Sequence, residues 1–235
     1  MLKKTNYLLC LLTMILWSCG PDPEERLSQS RQLVQNGKYT EAITQLDALL
    51  ESNPDHAAAY NLRGVAYLEN GNAADAVSDF SQAIRYQPED YKYWFNRANA
   101  RFQAGDLNTS LQDYNEAIKL QPNVADVYLN RSAVLYDMQN IPAALSDIQA
   151  ALQMSPDDAL IQFNAGKLYY VIDSLPQARQ YLTTAIRQDR KRAEAFYLLG
   201  NIALREGNQE EACTFYKQAV QLGSEAAKEA AASCS

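Results

Sequence analysis

Pro54, Pro88, Pro122 and Pro156 stand 34 residues apart, and that interval leaves the chain very few folds. A period of this length is the repeat of a unit made of two helices joined by a turn, stacked so that each unit covers its neighbour's apolar side. Counting from the first residue after each proline pair gives six units at 23–56, 57–90, 91–124, 125–158, 159–192 and 193–222, followed by a segment 223–235.

Side-chain size keeps the same period. The eighth position of each unit is small (Ser30, Gly64, Ala98, Ser132, Gly166, Gly200), and so is the twentieth (Ala42, Ala76, Ser110, Ala144, Ala178, Ala212). The twenty-fourth is large: Leu46, Phe80, Tyr114, Ile148, Leu182 and Tyr216. An ordinary amphipathic helix places apolar residues on one face, but it does not repeat small and large choices at a fixed long offset. Small residues let the two helices of a unit approach, and the large one fills the layer between units.

Gly37, Gly71, Gly105 and Gly207 mark the turn within a unit, where a helix ends most easily in a left-handed conformation. Pro142 and Pro176 fall where a second helix starts, a place that needs no backbone N–H. The fifth unit departs most. It has Asp173 for the turn glycine and Arg190 for the closing proline, which predicts a more helical, less sharply bent link over Asp189 to Arg192. At the ends, Arg26 stands where other units carry an aromatic and Leu49 where they carry alanine. Gly223 and Ser224 predict a stop and a new N-cap, with an alanine-rich capping helix from Glu225 to about Ser233.

These positions resemble the tetratricopeptide repeat, and the resemblance covers nearly everything after the first two dozen residues. It implies an all-α, right-handed solenoid of six helix-turn-helix repeats whose first helices line a concave groove. Family groove positions two, five, nine, twelve and thirteen fall on Phe95, Phe102, Leu129, Tyr136, Phe163, Tyr170 and Tyr197, interleaved with Asn61, Lys92, Asn99, Lys167, Asn201 and Arg205. Aromatic anchors beside amide and basic donors suit a bound peptide segment; several of the rings could instead pack on neighbouring helices. Asn96, Asn130 and Asn164 recur at position six, the first two followed by Arg97 and Arg131. The Asn-Arg pair resembles repeats that clamp a C-terminal carboxylate, but the flanking helices lack the charges such a clamp needs, so the asparagines are expected to bridge backbone or ligand amides.

The first eighteen residues resemble a lipoprotein signal peptide. Lys3 and Lys4 precede an apolar run from Tyr7 to Trp17 broken only by Thr13. Eleven helical residues span about 16 Å, short of a bilayer core of roughly 30 Å, so cleavage is expected rather than a permanent span. Leu16, Trp17, Ser18 and Cys19 resemble the lipobox of bacterial lipoproteins, which implies acylation of Cys19 and a short tether at 19–22; the alternative is an ordinary secretory signal with an incidental cysteine. Asp22, Glu24 and Glu25 resemble the acidic export signal of surface lipoproteins of the Bacteroidota, but equally suit the start of a helix. The expected location is the outer membrane, facing the periplasm or the cell surface. Asp173, Ser174 and Leu175 resemble a short O-glycosylation motif of that phylum, with a plain N-cap as the alternative.

Charge and chemistry narrow the function. Lys and Arg number 21 against 28 Asp and Glu; without the first eighteen residues, which hold two lysines, the balance is 19 minus 28, or −9. Such a chain has no electrostatic hold on a phosphate backbone, which argues against nucleic acid as a partner. His56 is the only histidine, stands at a unit boundary and is expected to be solvated; no metal site, cofactor site or catalytic set is expected. Cys213 and Cys234 lie about equally far from the Gly223 turn, so antiparallel helices would bring them level, and a disulfide is expected if the compartment is oxidising; two free thiols are the alternative. Together these readings point to a non-enzymatic, membrane-tethered adaptor for segments of other envelope proteins, serving a pilus, secretion or cell-wall complex. The alternatives are a sugar-binding accessory of carbohydrate uptake and a homo-oligomeric scaffold.

Overall fold

The computed structural model describes residues 22–234, and the signal segment and Cys19 lie outside them. Among the described residues there are thirteen helices and no strand. The first helices of the six units are α1 (Pro23–Gln35), α3 (Ala57–Glu69), α5 (Tyr91–Gln103), α7 (Ala125–Asp137), α9 (Ala159–Val171) and α11 (Ala193–Arg205). The second helices are α2 (Tyr39–Ser52), α4 (Ala73–Tyr86), α6 (Leu107–Leu120), α8 (Ile141–Met154), α10 (Leu175–Gln188) and α12 (Gln209–Gln221), and α13 (Ala226–Ala232) closes the stack.

The size pattern has a direct cause in packing. A Cβ on Gly64 would stand 2.7 Å from the Phe80 ring, one on Gly166 2.6 Å from Leu182 Cγ, and one on Gly200 2.5 Å from the Tyr216 ring. Position eight therefore receives the large residue of position twenty-four, and the small residue at position twenty is fully buried in every unit. Successive units share apolar layers: Leu129, Ile148 and Ala151 of the fourth pack with Ile161, Ala165 and Leu168 of the fifth. Leu49 is fully buried with Leu27, Leu46 and Leu62, so it fills the first interface.

Every turn within a unit closes the same way. The residue after the turn donates its N–H five residues back, as Lys38 does to Leu33 O at 2.9 Å and Asn208 to Ala203 O at 2.9 Å. This closure needs a left-handed residue, supplied by Gly37 at φ 73° and Gly71 at φ 85°, but also by Gln139 at φ 62° and Asp173 at φ 63°.

Two sequence expectations about local structure are corrected. The link after α10 is not helical: Asp189 at φ −129°, ψ 95° is extended like Gln121 at φ −140°, ψ 93°, so the bend survives without the proline. Ser224 does not cap the last helix. Its N–H closes the preceding turn onto Ala219 O at 2.9 Å, and Glu225 takes the cap position. Ala227 is buried, and Ala230 and Ala231 lie against the Tyr216 cluster, so α13 covers the end of the sixth unit. Cys213 of α12 and Cys234 are joined by a disulfide with Cα atoms 5.4 Å apart.

Candidate functional site

The first helices approach one another across unit boundaries, α1 with α3, α3 with α5, α5 with α7 and α9 with α11, while the second helices do not come as close. The first-helix side is therefore the inner side of the curve. Two cavities open on it. One, of about 210 Å³, is shared by α3, α5 and α7 and holds Asn61, Lys92, Phe95, Asn96 and Asp126. The other, of about 160 Å³, lies between α7 and α9 and holds Tyr136, Asp137, Asn164, Lys167 and Val171.

Most of the expected groove residues reach this face, and hydrogen bonds order them. Asn96 Nδ2 donates to Asn61 Oδ1 at 2.8 Å and Asn130 Nδ2 to Asn99 Oδ1 at 3.0 Å, so amides pair across units. Asn99 also accepts the Tyr114 hydroxyl and Asn201 the Tyr216 hydroxyl, the latter at 2.8 Å. Burial pushes the Tyr114 phenol well above its usual pKa, which keeps it a neutral donor. Asn164 Nδ2 turns back to Leu160 O at 2.8 Å. Phe95 and Phe102 are half-buried, Phe95 meeting Tyr114 edge-on, and Tyr197 tilts over Tyr216. Tyr170 carries the Arg205 guanidinium over its ring.

Leu129 and Phe163 do not belong to the open face. They are 6% and 5% exposed, because Leu129 is part of the layer around Ile148, and Phe163 packs on Leu182 and Leu199 beneath Lys167 and Arg192. His56 is also not solvated: its Nδ1 accepts from Ala59 N at 3.3 Å as the N-cap of α3, and its Nε2 lies 3.6 Å from Glu24. The Asp173 carboxylate pairs with Arg205, and Ser174 Oγ donates to Gln177 Oε1 at 2.8 Å, so both are engaged in local structure.

Sequence reasoning missed a ladder of arginines. Arg63, Arg97 and Arg131 each grip an aspartate sixteen residues on, Asp79, Asp113 and Asp147, with two bonds of 2.6–2.9 Å. Each sends its remaining Nη1 sixteen residues back into the previous unit, to Asp47, Ser81 and Asn115. The signal was present, since both residue types recur at 34-residue intervals in units two to four. Burial pushes the Asp79 carboxyl above its usual range despite Arg63, while the Asp79 contact raises Arg63 further. At the acid, desolvation outweighs the attraction, while at the guanidinium the hydrogen bond to Asp79 outweighs desolvation. The arginines point between helices, which removes them from any carboxylate clamp.

Among the described residues no group of three or more metal-capable side chains converges, and no helix is long and apolar enough to cross a membrane.

The family model for the tetratricopeptide repeat matches residues 27–80, 66–125, 129–182 and 173–227. The chain belongs to the tetratricopeptide repeat family. Its solenoid is similar to the solved structure of PilF from Pseudomonas aeruginosa, with a TM-score of 0.80 at 19% identity over 90% of this chain and 97% of that one. It is also similar to YrrB, described as a repeat protein with an unusual peptide-binding site, with a TM-score of 0.63 at 17% identity over 80% of this chain and 97% of that one. MamA gives a TM-score of 0.62 at 16% identity over 70% and 96%. No curated protein matches the chain. At these identities the likeness is one of fold.

Proposed function

We propose that the chain is a non-enzymatic adaptor, lipid-tethered through Cys19 to a bacterial outer membrane, that holds segments of other envelope proteins in its concave face. The observation that carries the binding role is the row of amides, rings and uncommitted charges around the two inner cavities, where Lys92, Asp126, Tyr136 and Asp137 remain available. Paired amides present fixed donors and acceptors to an extended backbone, and the half-buried rings supply apolar area. The fold it shares with YrrB, a peptide-binding repeat protein, supports the same reading. A sugar-binding role has less support, since Phe163 is buried and Phe95 is half-buried against Tyr114. The complex served would be one assembled at the envelope, such as a pilus, a secretion system or a cell-wall machine.

The test is photocrosslinking from Asn61 in intact cells, comparing the wild type with a Lys92→Glu, Tyr136→Ala, Lys167→Glu variant. A distinct captured protein in the wild type, lost in the variant while the helical content is unchanged, is the expected outcome. Equal capture removes the groove. Tethering is tested separately: Cys19→Ala should abolish lipid labelling and membrane fractionation.

A further inference from the structure

We propose that the solenoid edge carrying the tether makes a second, non-covalent contact with an anionic lipid surface through Arg187, Arg190 and Lys191. The inference rests on the tethered reading above. In this topology every first helix starts, and every second helix ends, on one edge of the stack, and the described chain begins on that edge at Asp22, just ahead of α1. Cys19 is three residues upstream, a reach of about 10 Å at most. A lipid on Cys19 therefore holds this edge, not the turn edge, against the headgroups.

The edge is furnished for that position. Tyr86, Leu120 and Met154, the last residues of α4, α6 and α8, and Leu160 at the start of α9 are all more than a third exposed. At the far end, residues 187–192 hold four basic side chains and one acid. Asp189 is engaged locally, 3.1 Å from Arg192 and accepting the Lys191 N–H at 3.0 Å. Arg187, Arg190 and Lys191 are exposed; Arg187 reaches only Thr184 Oγ1, and none of the three makes an ion pair among the described residues. Arg187 and Arg190 line an open cleft of about 490 Å³ together with Ile186 and Phe196.

The rest of the edge holds more acid than base: Asp55, Glu89, Asp90, Asp157 and Asp158 stand in three of the other links, against Arg85, Lys92 and Lys119, the last of which is paired with Glu116. An anionic bilayer would thus meet one positive island at the end of the edge opposite the tether, and beyond a Debye length of roughly 10 Å the acids would be screened. Basic residues beside an anionic surface contribute roughly five-fold each in partition, so three give on the order of a hundred-fold. Two contacts at opposite ends of one edge would set the solenoid side-on and leave the concave face open to partners.

The experiment reconstitutes the full lipidated chain, with a fluorophore on Gln188→Cys, into phosphatidylcholine vesicles with or without phosphatidylglycerol, each carrying a lipid-borne quencher. Quenching several-fold stronger on the anionic vesicles is expected. It should be lost in high salt and in the Arg187→Gln, Arg190→Gln, Lys191→Gln variant, whose helical content should not change, and should persist when sodium phosphate replaces sodium chloride at the ionic strength of the low-salt buffer. Equal quenching on both vesicles, indifference to the variant, or release by phosphate alone would overturn the proposal. So would binding of an acidic peptide with no preference for anionic vesicles. Flotation on neutral vesicles tests the tether independently: a chain that does not float there but is still quenched on anionic ones sinks the tether and leaves the basic contact standing.

Discussion

The Arg131–Asp147 pair shows what a single rung of the ladder contributes. Asp147 is buried and has Arg131 as its bidentate partner, so Asp147→Ala leaves a mostly buried guanidinium with Asn115 as its remaining hydrogen-bond partner and without its counter-charge. Breaking such a pair on one side typically costs about 3–5 kcal/mol, whereas replacing both members with packed apolar groups is near neutral. The chain already contains that replacement: the same two positions are Leu199 and Phe215 in the sixth unit. Urea unfolding of Asp147→Ala should show a loss of that size, and Arg131→Leu with Asp147→Phe should recover most of it. The glycines at position eight give a ranked pair. Gly166→Ala places its Cβ against Leu182 Cγ and at 3.2 Å from the Leu182 backbone N, which the helix holds in place, while the three nearest atoms to a Cβ on Gly64 are all side-chain atoms of the Phe80 ring. Alanine gains about 1 kcal/mol of helix propensity at either site, but overpacking costs about 1–3 kcal/mol. Gly166→Ala should therefore destabilise in the same urea assay, and Gly64→Ala should be the milder of the two.

At the scale of the helix and its turn, Gln139 carries the clearest strain. It is left-handed at φ 62° where four units have glycine, and a non-glycine residue there costs on the order of 1 kcal/mol. Gln139→Gly should raise the thermal midpoint by an amount matching a gain of up to about 1 kcal/mol, since glycine has the conformation at no steric cost. Asp173 has the same backbone but its carboxylate pairs with Arg205, so the equivalent change there should return less. These cases show how far the sequence could be read. The helices and the small-on-large layers were legible because volume at Gly64 and Phe80 is a property of the residues themselves. Gln139 was not, because its conformation is imposed by the closure of Asn140 N–H onto Leu135 O, and glutamine carries no turn signal. Position numbers placed Asn61, Lys92 and Tyr136 beside the inner cavities but did not show the burial of Phe163, which packs on Leu182 and Leu199 beneath Lys167 and Arg192. The capping helix adds a further test. Seven residues are too few to be helical alone, and the Cys213–Cys234 bond closes a loop worth roughly 3 kcal/mol in the chain-entropy model. Reduction should release amide protection over 226–232 while leaving α3–α6 unchanged, and alkylation of the unreduced protein should leave Cys213 and Cys234 unmodified.

Among the described residues, the helix pairs in substantial contact are sequence neighbours and successive first helices. Stability in such an array is a sum of units and interfaces, so the weakest interface decides where it parts. The ladder stitches units one to four through Asp47, Ser81 and Asn115. Units five and six are joined by Arg179 to Glu206 and Glu211, by Lys167 to Glu194 and by Arg205 to Asp173. Between units four and five, among the described residues, there is no ion pair; Gln149 donates to the Tyr169 hydroxyl at 3.2 Å, Gln162 Nε2 donates to Pro156 O and Asp158 caps α9 within the link, and the helices otherwise meet through the layer of Ile148 and Ala151 against Ile161 and Ala165. Ala165 stands where an arginine would reach back across that boundary, so the fifth unit starts a second block held to the first by apolar contact. Ile161 is 1% exposed in that layer, and truncating a buried isoleucine to alanine costs about 2–5 kcal/mol. Amide exchange of Ile161→Ala, read by mass spectrometry, should accelerate on the order of a hundred-fold across α9–α13, since each 1.4 kcal/mol is a factor of ten, and hardly at all in α3–α6. An equal rise in every helix would mean that the stack opens as one cooperative body, and that the missing rung at Ala165 does not divide it.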